Sequence, residues 1–158
     1  MGVRLLVTAG VEAARLYFPA VNGPFIRLLG PMLKESEAFR PTGVGYYVGG
    51  VLLSLLFFDL EVALAGLVIL AVGDPAAAWT GRRWGRRRIG DKTLEGSVGF
   101  FVAAILAGVL FQGFWPGISL PLFAIGAMTG AVVECLPLKI DDNLILPLAA
   151  SFAIQIAG

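Results

Sequence analysis

The apolar segments of this chain constrain its fold more than any other feature, because a helix needs about 20 largely apolar residues to cross a membrane. Six such segments are predicted, over residues 3–21, 43–58, 60–80, 96–113, 117–136 and 143–157. Charged residues make up only 15% of the chain, against roughly 25% in a soluble domain. We therefore predict an all-α, polytopic integral membrane bundle of about six transmembrane helices. It forms a single domain over residues 1–158, with an interfacial helix over 22–41.

The distribution of positive charge predicts which side of the membrane each loop faces. Lys and Arg residues lie in 22–41, 81–92 and 137–142, whereas the turns 58–60 and 113–116 contain neither. Cytoplasmic loops of membrane proteins are enriched in Lys and Arg. We expect a multi-pass protein whose basic loops, and any site that they form, face the cytoplasm.

The residues 73–97 form a glycine-punctuated, strongly basic stretch that suits a polyphosphate. It contains six of the twelve Lys and Arg residues: Arg82, Arg83, Arg86, Arg87, Arg88 and Lys92. Cations, glycines that admit close backbone approach, and the free amides of a helix start together favour phosphate. Asp74 stands at the end of an apolar span, where a carboxylate commonly marks function.

Simpler explanations apply to parts of this stretch. Small residues recur every four positions as Gly73, Ala77, Gly81 and Gly85, which also suits close helix packing. The arginines alone could be a topology signal. Thr93 or Ser97 could cap the next helix, with Asp91 or Glu95 complementing its dipole.

A second polar group lies near the end of the chain, in Glu134, Asp141, Asp142 and Asn143. Paired carboxylates at a membrane face suit Mg²⁺, which prefers one or two of them together with nucleotide phosphates. The alternative is that Asp141 or Asp142 only caps a helix. The chain has no histidine and a single cysteine, so it lacks the commonest zinc ligand and cannot form an internal disulfide. We expect no nucleic-acid partner, because the basic loop lies at a membrane and contains only one interleaved aromatic residue.

The chain resembles the membrane-bound CTP-dependent lipid kinases, the family of dolichol kinase, CTP-dependent diacylglycerol kinase and phytol kinase. The central match comprises the family's Gly-Asp, its spaced small residues and its Lys-Thr-x-Glu-Gly-Ser, here Gly73, Asp74, Ala77, Gly81, Gly85, Lys92, Thr93, Glu95, Gly96 and Ser97. The later Asp-Asn-Leu-x-x-Pro is residues 142–147, with Glu134 upstream. The upstream match comprises Glu12, Arg15, Asn22, Gly23, Arg27, Gly30, Leu33, Lys34, Glu37 and Gly43.

This resemblance implies transfer of the γ-phosphoryl group of CTP to the hydroxyl of a membrane lipid, such as diacylglycerol or a polyprenol. It implies Mg²⁺ held by Asp74 and Asp142, Lys92 on the phosphates, and Asp74 or Glu37 as the proton acceptor. The nucleotide-binding residues that it implies are Gly73, Gly81, Arg82, Gly85, Arg86, Arg87, Lys92, Thr93, Glu95, Gly96, Ser97 and Asn143. The residues expected to support the lipid site are Glu12, Arg15, Asn22, Lys34 and Glu134; the first two could instead be a neutralised pair.

The chain departs from the family pattern in one respect. Family members usually begin with an additional helix that bears an Arg-Lys pair and a histidine, which this chain lacks. It is therefore either a minimal member or one whose missing helix comes from a second copy or another chain. The alternatives are a CTP:phosphatidate cytidylyltransferase, which shares Lys-Thr-x-Glu-Gly but carries a late His-Gly-Gly metal motif absent here, and a transporter or non-catalytic subunit. A transporter would show an internal repeat, and none is visible.

Overall fold

The computed structural model describes residues 43–138 and 140–158. Over these residues the chain forms five helices and one short hairpin: α1 (Gly43–Phe57), α2 (Leu60–Trp84), β1 (Arg88–Ile89), β2 (Lys92–Thr93), α3 (Leu94–Gln112), α4 (Leu120–Cys135) and α5 (Asp142–Ala157). The helical fold predicted from the apolar segments is confirmed. The predicted span 3–21 and the interfacial helix 22–41 lie outside the described residues.

The chain divides into two compact units, residues 1–49 and 50–158. The first unit is described only from residue 43 onward, as the opening turns of α1. The second unit contains the rest of α1, the hairpin and helices α2 to α5. The prediction of one domain over 1–158 stays a prediction.

Helix α2 is the centre of the second unit, where it packs against α3, α4 and α5. The side chains of Ile69, Phe100, Phe123 and Leu146, one from each of these four helices, are fully buried and belong to one hydrophobic cluster. The outer surfaces are also apolar: Leu106 and Leu110 on α3 and Phe152 on α5 are all exposed. A helix that is apolar on every side suits a membrane environment.

Two of the helices, α2 with 25 residues and α3 with 19, are long and apolar enough to cross a membrane. Helices α1, α4 and α5 are apolar but shorter, with 15, 16 and 16 residues. Helix α2 also extends past its predicted end at residue 80. Its last turn therefore holds Arg82 and Arg83, which the sequence pattern had suggested for the loop.

The small residues of α2 allow α3 to approach closely. A methyl group added at Gly73 would lie 2.5–2.7 Å from three ring carbons of Phe100, which is fully buried. One added at Gly96 on α3 would lie 3.0 Å from the backbone oxygen of Ala77. Close helix packing, the simpler explanation of the stripe, is therefore part of its role.

We expect Gly73→Ala to lower the free energy of unfolding by about 1–3 kcal/mol, because the added methyl overpacks against a ring that has no room to move. Gly113→Ala is the matched control. Gly113 is exposed, and its added methyl would meet a single atom, the oxygen of Leu110, at 3.3 Å. We expect that change to stay within about 0.5 kcal/mol. Unfolding by SDS in mixed micelles measures both, and equal losses would contradict the packing argument.

Candidate functional site

A hairpin of two-residue strands connects α2 to α3. Its strands pair antiparallel, with Arg88 opposite Thr93 and Ile89 opposite Lys92, so the turn consists of Gly90 and Asp91. Gly90 has a φ of 61°, as the first position of a two-residue hairpin turn requires when it is a glycine. Thr93 then caps α3, because its side-chain oxygen accepts a hydrogen bond from the Gly96 amide at 3.1 Å. Lys92 is thereby fixed directly before Thr93, the residue that caps α3.

Glu95, in the first turn of α3, holds the segment that precedes the hairpin. Its carboxylate accepts hydrogen bonds from the backbone amides of Arg86, at 3.1 Å, and Arg87, at 3.2 Å. Hydrogen bonds to an ionised acceptor are stronger than neutral ones. The segment after α2 is therefore fastened at both ends, by Glu95 and by the strand pairing.

Lys92 forms ion pairs with residues at the ends of two other helices. Its Nζ donates to Glu134 Oε1 at 2.8 Å and to Asp142 Oδ2 at 2.5 Å. Partial burial of Lys92 would lower its pKa, but the hydrogen bonds and charges of Asp142 and Glu134 outweigh that effect and raise it above the usual 10.5. Lys92 is therefore charged, and it links the hairpin to the end of α4 and the start of α5.

Three carboxylates meet at this point. Asp74 of α2, Glu134 of α4 and Asp142 of α5 each offer an oxygen, and these oxygens lie within 4.8 Å of one another. Glu134 is only 4% exposed, and its Oε2 has no hydrogen-bond partner among the described residues. A buried anionic oxygen without a donor is costly unless a cation satisfies it. The donor set therefore fits Mg²⁺, which binds carboxylate oxygens and retains water and phosphate as its other ligands.

A cavity of about 480 Å³ opens beside the carboxylates, within the size range of small-molecule sites. It is lined by Asp74, Ala77, Ala78, Gly81, Arg82, Gly85, Arg88, Asp91, Lys92, Thr93, Gly96 and Glu134. Three cations and three glycines thus face one space. The carboxylates in its lining are Asp74, Glu134 and Asp91 of the hairpin turn. The cavity lies where α2 and α4 end and where α3 begins.

Many residues predicted from the sequence line this cavity or join the carboxylate cluster. They are Asp74, Gly81, Arg82, Gly85, Lys92, Thr93, Gly96, Glu134 and Asp142. The two neighbouring aspartates have different roles. Asp141 caps α5 by accepting from the Asn143 amide at 3.0 Å, whereas Asp142 pairs with Lys92.

Other predicted residues lie elsewhere. Arg86 lines a second, shallower pocket with Arg83, Trp84, Gly85 and Glu95, and Gly73 packs on Phe100. The backbone amide of Arg87 donates to Glu95. Ser97 is buried and donates to the Thr93 carbonyl at 3.4 Å. The side chain of Asn143 donates to Asp141 Oδ1 at 2.9 Å. Glu12, Arg15, Asn22, Lys34 and Glu37 lie outside the described residues.

Arg88 and Asp91 line the cavity, although neither was among the predicted nucleotide-binding residues, and Glu134, predicted to support the lipid site, lies in the carboxylate cluster. A signal for the first two existed. Ile89-Gly90-Asp91-Lys92 has glycine at the first position of a two-residue turn, which predicts a hairpin there. The hairpin places the residues next to its turn beside the end of the preceding helix. No local signal distinguishes a buried Glu134 from a solvated one.

Fold and site together define an apolar helical protein in which two helices are long enough to cross a membrane, with a polar cavity, lined by cations and carboxylates, at one end of its helices. No family model and no solved structure matches the chain. It is 29% identical to a CTP-dependent diacylglycerol kinase of Schizosaccharomyces pombe, over 89% of this chain and 71% of that protein. It is also 29% identical to a phytol kinase of Synechocystis, over 90% of this chain and 64% of that protein.

An uncharacterized protein of Methanocaldococcus jannaschii is 34% identical, over 89% of this chain and 69% of its own length. The chain spans 71%, 34% and 57% of the length of three fungal CTP-dependent diacylglycerol kinases. The resemblance seen in the motifs is confirmed: this chain belongs to the family of CTP-dependent lipid kinases.

We expect Glu95→Ala to speed hydrogen exchange at the Arg86 and Arg87 amides, because both lose their carboxylate acceptor. Asp91→Ala is the control: it removes a carboxylate from the hairpin turn and leaves both amide bonds in place. Exchange in detergent micelles, read by mass spectrometry of the peptides covering 82–92, measures the effect. Equal acceleration in the two variants would show that Glu95 does not hold this segment.

Proposed function

We propose that this chain is itself a kinase that transfers the γ-phosphoryl group of CTP to the hydroxyl of a membrane lipid. The observation that carries the proposal is the cavity in which Asp74, Glu134, Lys92, Arg82 and Arg88 face one space. The related diacylglycerol kinase and phytol kinase suggest the donor, CTP, and acceptors that are alcohols with long apolar tails, diacylglycerol and phytol. The cavity supplies the polar half of such a reaction, and the apolar helices supply the surroundings of the lipid tail.

The cations of the cavity suit the triphosphate. Phosphoryl transfer depends mainly on positioning and on neutralising charge spread over the phosphate oxygens. Arg82, at the end of α2, and Arg88, in β1, bring two guanidinium groups to the same wall as Lys92. Thr93 and Gly96, at the start of helix α3, line that wall, and the positive end of the helix dipole favours an anion there. Gly81 and Gly85 lie on the same wall, where a methyl group added to either would collide with the side chain of Thr93.

The carboxylates would hold Mg²⁺, with Asp74 and Asp142 as proposed ligands and Glu134 as a third. When bound, the ion neutralises phosphate charge. Asp74 also stands on the cavity wall, where its carboxylate would accept the proton of the lipid hydroxyl. Glu37, the other residue proposed for that proton, lies outside the described residues. A loose transition state demands little basicity from either group.

The proposed membrane arrangement is that of the six predicted spans, with the cavity on the cytoplasmic side. Support comes from the positive charge near the cavity and from the two helices that are long enough to cross. A homo-oligomer or a partner chain stays a prediction.

For the topology, we expect single cysteines at Arg86 and Gly117, in a Cys135→Ala background, to react with a membrane-impermeant maleimide from opposite sides. Arg86 belongs to the basic segment, whereas Gly117 lies in the turn between α3 and α4, at the other ends of these helices. Sealed vesicles of known orientation make the measurement. Labelling from the same side would contradict the proposed arrangement.

For the reaction, we expect purified protein given γ-labelled CTP, Mg²⁺ and a panel of lipid alcohols to place the label on lipid and release CDP. Release of pyrophosphate would identify a cytidylyltransferase instead. Equal rates with ATP and CTP would contradict the nucleotide assignment and leave the kinase class intact. The lipid that accepts the label identifies the substrate.

In that assay Asp74→Asn should lower kcat roughly a hundredfold or more, because the swap keeps the shape and removes the charge at the reacting phosphate. Asp59→Asn is the matched control. Asp59 precedes the other end of α2 and bonds Gln155 there, so its variant should turn over at the wild-type rate. Thermal unfolding verifies that both variants are folded. A wild-type rate for Asp74→Asn would assign that carboxylate a structural role.

A further inference from the structure

The ammonium group of Lys92 occupies the carboxylate cluster. Its Nζ lies 2.8 Å from Glu134 Oε1 and 2.5 Å from Asp142 Oδ2, so it contacts two of the three carboxylates whose oxygens gather within 4.8 Å. Within the described residues, the ion pairs of Glu134 and Asp142 both come from Lys92. The same ammonium therefore serves both Glu134 and Asp142, and the buried Glu134 Oε2 has no donor among the described residues.

We infer that Lys92 and a divalent cation are alternative counter-ions of Glu134 and Asp142, so that the arriving metal displaces the ammonium and frees it for phosphate. This inference rests on the proposed function, since it assigns the metal and phosphate of that reaction to particular residues. It also adds Glu134 as a ligand, on the strength of its burial and its unpartnered oxygen.

Geometry argues for exchange rather than joint occupancy. Mg²⁺ binds oxygen at about 2.0–2.1 Å. An ion shared by the carboxylates of Glu134 and Asp142 would stand close to Nζ, which lies on oxygens of the same two groups. A divalent ion and an ammonium at that separation repel each other strongly in a site partly shielded from water. The divalent ion also satisfies more carboxylate oxygens than one ammonium can.

The displaced ammonium group of Lys92 can move into the cavity. Its backbone is fixed in β2, but its side chain is a flexible four-carbon stem that already lines the cavity with Arg82 and Arg88. Rotation about the stem would carry Nζ from the carboxylates toward a triphosphate in that space. The metal then replaces the ammonium as the counter-ion of Glu134 and Asp142, and the ammonium neutralises charge on the phosphates.

Binding of Mn²⁺ to the purified full chain without nucleotide, followed by electron paramagnetic resonance, tests the exchange. Lys92→Met should tighten Mn²⁺ binding roughly tenfold, a size typical of coupling between two ligands. Arg88→Met is the matched control, because it removes a charge from the same cavity that forms no ion pair with Glu134 or Asp142. We expect that variant to change affinity by less than about threefold, and Lys92→Met/Glu134→Gln to lose the gain.

Unchanged or weaker Mn²⁺ binding in Lys92→Met would overturn the inference, as would an equal gain in Arg88→Met, which would indicate a general field effect.

A second measurement uses the wild-type chain and does not depend on the folding of any variant. Reductive methylation of Lys92, read by mass spectrometry against Lys34 and Lys139, should accelerate when Mg²⁺ is added. An unchanged rate would also overturn the exchange. Neither readout involves turnover, so a chain that fails here and still releases CDP retains the proposed function.

Discussion

A carboxylate buried at the end of an apolar helix bundle needs a cation, and the pairing of Glu134 with Lys92 meets that need here. Removing one partner of a buried pair leaves an uncompensated charge, which is far more costly than the pair itself is stabilising. The pair therefore dictates where other elements must lie. The hairpin has to fold back over the end of α4, and α5 has to begin close enough for Asp142 to reach the same ammonium.

The close approach of α2 and α3 is the second requirement, and it depends on the absence of side chains. In a membrane, helices gain little from burying apolar surface against each other, because lipid is equally apolar. Contact between backbones at Gly96 and Ala77, and between Gly73 and the Phe100 ring, supplies the packing instead. Ala77, Gly81 and Gly85, further along the same stripe, line the cavity together with Gly96 of α3. One stripe of small residues thus both joins the helices and borders the cavity.

Much of this arrangement was predictable from the sequence, because its signals are long or specific. Apolar runs of 15 to 21 residues predicted the helices, and the Lys-Thr-x-Glu-Gly-Ser motif predicted a site around Lys92. What local pattern does not contain is long-range pairing. Lys92 and Asp142 are 50 positions apart, and nothing near either residue specifies the other. For the same reason no local pattern predicts the ion pair between Lys92 and Glu134.

The two-residue turn at Gly90 and Asp91 makes this hairpin sensitive to length as well as to composition. A side chain at Gly90 would be strained by the φ of 61° and would meet Pro137. Side chains in a strand alternate between faces, so inserting or deleting one residue between Arg88 and Lys92 would turn the lysine to the opposite face. Such a change in residue number would remove the ammonium from its carboxylates. Loops usually tolerate insertions, but this hairpin turn should not.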